Sequence, residues 1–266
     1  MPSGSSSSSF KNSGNNQCPR AQPPTWRQET QQIEYNERGQ TVDTQICFIR
    51  FSIPDNLNPP VLLYYRLTNF YQNHRRYVKS LDMEQLKGTA VSAKNIDGGS
   101  CDPLRLEPGT GKPYYPCGLI ANSVFNDTFG NLTQLNVHDS NDQNRTYNMT
   151  NSGIAWDSDK DLYGETKYKA EEVAVPPNWV LRYPNGYTND NLPNLKNDEA
   201  LQVWMRTAGL PAFSKLALRN DKETMQCSTY EIQVRNSKCF TTCGNRESVE
   251  RITPGFIAKR LTLVPC

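Results

Sequence analysis

Apolar residues in this chain recur mostly at alternate positions, in short runs bounded by Pro, Gly, Asn and Asp. That is the pattern of strands linked by turns. The clearest run is Gln45–Ile53, where Ile46, Phe48 and Arg50 alternate with Cys47, Ile49 and Phe51. Apolar side chains occupy both sets, so most of this strand is predicted to be buried on two faces. Pro54, Pro59 and Pro60 then mark a turn. The next run, residues 61–81, packs four tyrosines, a phenylalanine and four cationic side chains together with no acid. Leu62, Tyr64 and their alternate neighbours predict a half-buried strand, and Gln72–Arg76 a turn or short helix leaving it. Asp82–Lys87 reads as a short helix capped by Asp82 and ended by Gly88, followed by a long loop to Cys117.

Further on, the pattern is less decisive. Between Asp198 and Phe213, Leu201, Trp204, Met205 and Ala208 fit a helical stripe, while Leu201, Val203 and Met205 fit an alternating strand. A turn of helix entering a strand is expected, with Lys215–Arg219 returning beside it. Thr229–Val234 alternates cleanly as a strand. Elsewhere the chain is polar. Residues 1–24 form a Ser-, Asn- and Gly-rich segment expected to be disordered. Thr25–Asp43 stays polar with isolated anchors at Trp26 and Tyr35, and residues 131–152 read as a solvent-facing excursion.

The chain has 266 residues, enough for one large domain or two small ones. Only 36% are hydrophobic, against 18 Pro and 16 Gly, which favours short strands over a helical bundle. Arg75, Arg76 and Lys79 interleaved with Tyr71 and Tyr77 could in principle track a nucleic acid strand. Yet 29 basic residues against 27 acidic ones leave a net charge of +2, with no second basic run, so no nucleic acid partner is expected. Gly109-Thr-Gly-Lys112 fails as a phosphate loop, because Leu106 and Pro113 stand where the motif needs Gly and Ser or Thr. Asp157–Asp161 starts like a calcium loop but lacks its Gly and Glu, and reads as a solvated acidic turn.

The cysteines change the picture more. There are eight, with no C-x-x-C pair and only two histidines, His74 and His138. Zinc could at best use Cys227, Cys239, Cys243 and Cys266, so neither a metal nor another cofactor is expected. Cys101 and Cys117 bracket a loop rich in Pro and Gly. Bonding them would stabilise the fold by about 3 kcal/mol through loop closure, and requires an oxidising compartment. Four sequons agree with that compartment: Asn126-Asp-Thr, Asn131-Leu-Thr, Asn144-Arg-Thr and Asn148-Met-Thr. No run reaches the ~20 apolar residues of a membrane span and no signal-peptide core opens the chain. The expectation is therefore a piece of a larger protein. With two histidines and no nucleophile motif, no catalytic residue is nominated and an enzyme is not expected.

Three blocks carry a family resemblance: Leu63–Ser80, Cys101-Asp-Pro-Leu through Tyr115–Thr128, and Val203–Phe213, with Gly153-Ile-Ala-Trp156 between the last two. Together they resemble the flippase β-subunits (cell-division-cycle-fifty, or ligand-effect-modulator, proteins), in wording closest to fungal members. The resemblance spans about Trp26 to Val234. It implies a glycosylated, disulfide-bonded exoplasmic domain of mainly antiparallel β structure over residues 25–234, sandwich-like with short helices and long loops. It also implies two flanking membrane spans that this chain does not show; after about Val234 the chain departs from the family pattern, and 235–266 is expected to be a divergent tail, foreign to the fold. Such proteins are non-catalytic partners of type IV P-type ATPases; they escort the ATPase from the endoplasmic reticulum and support lipid transport there, in the Golgi, in endosomes or at the plasma membrane. By the same match, Cys101–Cys117 corresponds to a family disulfide and Asn126 to a family glycosylation site. Cys47 corresponds to a cysteine pairing upstream, for which Cys18 is the available partner. A soluble secreted glycan- or ligand-binding β-domain is the rival reading.

Overall fold

The structure, a computed structural model, describes residues 18–34, 41–135, 144–236 and 260–263. In chain order the strands are β1 (Thr25–Glu34), β2 (Thr41–Ile53), β3 (Val61–Leu67), β4 (Thr128–Phe129) and β5 (Leu132–Leu135). They continue with β6 (Asn144–Tyr147), β7 (Phe213–Asn220), β8 (Ser228–Asn236) and β9 (Arg260–Leu263). Among the described residues, six short α-helices lie between them: α1 (Arg75–Lys79), α2 (Met83–Leu86), α3 (Ala93–Asp97), α4 (Leu119–Asn122), α5 (Asp157–Lys160) and α6 (Glu199–Met205).

Two sheets result. One runs β1-β2-β8-β5-β6 with β4 also on β8, antiparallel throughout; the other runs β7-β3-β9, antiparallel at β7 and parallel at β9. Cys47, Phe51 and Ile53 of β2, Tyr230, Ile232 and Val234 of β8, and Leu132 meet Val61 and Leu63 of β3 in one buried cluster. The two sheets thus face each other across an apolar layer, which makes the expected β-sandwich. In β2 the predicted two-sided burial holds from Ile46 to Phe48, all at most 7% exposed.

A second core lies where loops and helices pack around Tyr65, further along β3. Tyr65, Leu86, Tyr115, Ile120, Trp179, Leu201 and Trp204 are buried there. No single sequence run marks this core, because its members come from separate elements and loops. In β3 the buried residues are Val61, Leu63 and Tyr65, while Leu62 and Tyr64 are half-buried.

Several elements depart from the sequence reading. The polar stretch after Thr25, for which no element was expected, is a strand. Its register with β2, from Thr25↔Arg50 to Glu34↔Thr41, is held by side chains on both sheet faces. Arg27 lies 4.0 Å over the Phe48 ring, Gln28 bonds Gln45, and Arg27 and Arg50 both reach Glu231. The 93–97 segment, expected as loop, is α3, whose first turn is capped by Ser92. The capped helix at Asp82 is present as α2, with the Asp82 carboxylate accepting from the Gln85 amide at 2.8 Å. Residues 18–24 carry no strand or helix, and a disulfide at Cys18 ties them to the sandwich. Tyr35, His138, Cys239, Cys243 and Cys266 lie outside the described residues. None of the helices among the described residues is long and apolar enough to cross a membrane.

Candidate functional site

The aromatic segment 61–81 works chiefly as packing. Tyr65 stacks on Phe125 with ring centroids 4.0 Å apart and planes 8° from parallel. Phe70 meets the rings of Tyr77, Trp204 and Phe213 edge-on, an arrangement the ring quadrupoles favour. Burial holds the Tyr65 and Tyr77 phenols above their usual range, so both stay neutral donors. The Tyr77 hydroxyl is 2.8 Å from that of Ser123. The basic residues of the segment, Arg66, Arg75, Arg76 and Lys79, are exposed along with Tyr71 and His74.

Three buried polar side chains hold this region together, and sequence reasoning missed them all. Gln72 is fully buried; its Oε1 accepts from the Ala208 amide at 2.8 Å and its Nε2 donates to the Trp204 carbonyl at 3.4 Å. That joins the first family block to the third. The Ser80 hydroxyl donates to the Asp102 carbonyl at 2.7 Å and accepts from the Leu119 amide at 2.8 Å, joining the first block to the second. Gln85, 1% exposed, accepts from the Cys117 amide and donates to the Tyr114 carbonyl, each at 2.9 Å. Amide side chains suit this task, since each offers both donor and acceptor to backbone that no strand satisfies. A polar residue set inside an otherwise aromatic run was the available signal. Close backbone approach adds a further constraint at Gly118, which sits at φ 97°; a Cβ there would overlap the Ser80 carbonyl.

Cys101 and Cys117 are bonded, with Cα atoms 5.7 Å apart, inside the ~7 Å limit for a bridge. The other pairing expected from the resemblance is corrected: Cys18 is bonded to Cys227, at a Cα separation of 5.2 Å, and Cys47 is a buried free thiol. Strand register explains the difference. Cys47 lies opposite Val234, whereas Cys227 immediately precedes Ser228, which pairs with Ile53. Cys18, bonded to Cys227, therefore sits roughly seven strand positions, or ~23 Å, from Cys47. Burial, with the Asp127 carboxylate second, pushes the Cys47 thiol up, leaving it unreactive. Asp127 Oδ1 is itself buried without a hydrogen bond among the described residues, and burial raises that carboxyl to about 7.

The four sequon asparagines, Asn126, Asn131, Asn144 and Asn148, are all exposed, and three of them lie on or beside the β5–β6 hairpin. A cleft of about 310 Å³ opens elsewhere, beside α6, lined by Tyr64, Trp156, Asp159, Arg206 and Lys215. Its charges are already engaged. Arg206 covers the Trp156 ring at 4.7 Å and pairs with Asp159 at 3.0 Å. Lys215 donates to the Val203 and Arg206 carbonyls, and burial lowers its ammonium to about 8. Among the described residues no group of three or more His, Cys, Asp or Glu side chains is placed to hold a metal ion.

The profile of the LEM3 (ligand-effect modulator 3) family / CDC50 family matches residues 6–243. The phospholipid-transporting ATPase accessory subunit CDC50 of Chaetomium thermophilum is 46% identical over 231 residues, covering 86% of this chain and 56% of that protein. The accessory subunit CRF1 of Saccharomyces cerevisiae is 51% identical over 177 residues, 66% of this chain and 43% of that protein. Cell cycle control protein 50A of Mus musculus is 37% identical over 177 residues, 64% and 47% respectively. The chain spans about half the length of the curated relatives it matches. A match from residue 6 to residue 243 takes in the whole first sheet, β3 and β7 of the second, and both disulfides, and the chain belongs to the LEM3/CDC50 family.

Proposed function

We propose that this chain is the exoplasmic domain of a non-catalytic accessory subunit of a phospholipid-translocating type IV P-type ATPase, needed for the folding, export and lipid transport of that enzyme. The observation that carries the reading is the 46% identity over 231 residues to a relative named as such a subunit. The structure adds support of a different kind. The family blocks are joined to one another by Gln72, Ser80 and the aromatic cluster, as expected of residues that shape a binding surface. Residues 25–234 would then be the lumenal or extracellular domain of a membrane protein of the secretory pathway. Sugars on exposed sequon asparagines and two disulfides fit that compartment.

Stable association buries roughly 1,200–2,000 Å², so residues 25–234 alone should bind the ATPase weakly. The test uses the full-length gene product. Co-immunoprecipitation with an epitope-tagged type IV P-type ATPase should recover the complex. Cys101→Ala should reduce that recovery and hold the ATPase in the endoplasmic reticulum. Recovery of no such ATPase by the intact, membrane-inserted wild type would refute the reading.

A further inference from the structure

The sequons are not equivalent in the folded chain. β5 and β6 pair antiparallel from Leu132↔Tyr147 to Leu135↔Asn144. Asn131 and Asn148 therefore stand opposite one another one step beyond the last ladder pair, on the same face of the hairpin. Their side chains touch. Asn131 Oδ1 accepts from the Met149 amide at 3.1 Å, and Asn131 Nδ2 donates to Asn148 Oδ1 at 3.4 Å. The Asn131 carboxamide thus continues the hairpin in place of backbone. Asn148 is held from the other side, its carbonyl accepting from Asn220 Nδ2 at 2.7 Å. Asn220 is fixed in turn by the Lys222 and Glu223 amides, each 2.9 Å from its Oδ1. Asn148 Nδ2, by contrast, makes no hydrogen bond among the described residues, and the residue is exposed.

N-glycosylation forms a bond from a sequon Nδ2 to C1 of an oligosaccharide carried on a lipid diphosphate. The C1–O bond breaks, its electron pair leaves on the diphosphate, and one Nδ2 proton is lost to base. The O–N separation within a carboxamide is ~2.2 Å. Added to the 3.4 Å contact, this puts the two Nδ2 atoms within ~6 Å of each other. Two sugar rings rooted that close on one face would collide unless the carboxamides separated and the Asn131 contacts opened.

We infer that Asn131 and Asn148 make one glycan site rather than two: in the folded protein Asn148 carries the sugar, and the Asn131 carboxamide stays unmodified as the clamp that positions it. The inference rests on the exoplasmic reading above. It is tested on the full-length protein made in a eukaryotic host and purified natively. Enzymatic deglycosylation in heavy-oxygen water converts each occupied Asn to labelled Asp, and trypsin cleavage after Arg145 separates the Asn148 peptide from that of Asn131. The expected result is label on Asn148 and none on Asn131. Asn148→Gln should then lose the mass of one glycan, and Asn131→Gln should lose none. Label on Asn131, alone or together with Asn148, overturns the inference, as does label at Asn126 or Asn144 with neither of the pair occupied. Absence of label at all four sequons refutes the exoplasmic reading itself.

Discussion

Replacing Gln85 by leucine isolates the role of the buried amides. Leucine nearly matches glutamine in size, so no large cavity opens. Two backbone groups nevertheless lose their partner: the Cys117 N–H and the Tyr114 carbonyl, both at 2.9 Å. The Tyr168 hydroxyl keeps its bond to the Val91 carbonyl at 2.6 Å and is not orphaned. Each buried, unpaired backbone group costs about 1–3 kcal/mol. The more apolar side chain returns about 1–2 kcal/mol on burial; set against about 2–6 kcal/mol for the two groups, this leaves Gln85→Leu destabilising by about 2.5 kcal/mol at mid-range. With a urea slope of about 2 kcal/mol per molar, the midpoint should fall by about 0.5–2 M. Trp179 and Trp204, both buried in the second core, report the transition by fluorescence. Gln85→Ala, which adds a cavity to the same losses, should cost more. A leucine variant within about 0.3 kcal/mol of wild type at unchanged slope would show that the Gln85 bonds contribute nothing net.

Three of the cysteines give a direct chemical check. Peptide mapping without reduction should recover Cys18 linked to Cys227, with Cys47 alkylated only after denaturation; a Cys18–Cys47 peptide would contradict the strand register. Asp127 predicts a pH dependence. Burial raises its folded carboxyl to about 7 from 3.8, so the folded chain holds a proton that the unfolded chain releases above about pH 4. For this group stability therefore rises as pH falls from above 7 towards 4, and levels off below. Asp127→Asn leaves the Asn126 sequon intact, and should flatten that slope and raise the urea midpoint at about pH 8; an unchanged slope refutes the assignment.

Where burial imposes a repeating pattern, the sequence announced the structure. Ile46 to Phe48 read as buried on both faces because apolar groups fill both registers, and β2 lies inside its sheet between β1 and β8. Asp82 announced α2 through a local bond that needs no tertiary context. β1 was invisible for the opposite reason: its residues from Thr25 to Gln32 are exposed and nearly all polar, and its pairing depends on a partner strand already in place. The second core was equally hidden, since Leu86, Tyr115, Trp179 and Trp204 come together only after the loops have closed. Disulfide partners divide along the same line. Cys101 and Cys117 are close in sequence, so one loop implies the pair. Cys18 and Cys227 are 209 residues apart, and only the assembled sheet brings them together.

That long-range bridge also decides how the domain would carry a mechanical load. Everything from β1 to β7 lies between Cys18 and Cys227, inside one covalent loop. A pull applied before Cys18 and after Asn236 passes through the sulfur–sulfur bond and then along β8. That strand is already extended over about 30 Å and is flanked by β2 on one side and β4 and β5 on the other. The path holds almost no slack, so tension gains little length by disturbing the sandwich. With the bridge reduced, the same pull would bear on β1 first and peel it from β2 pair by pair.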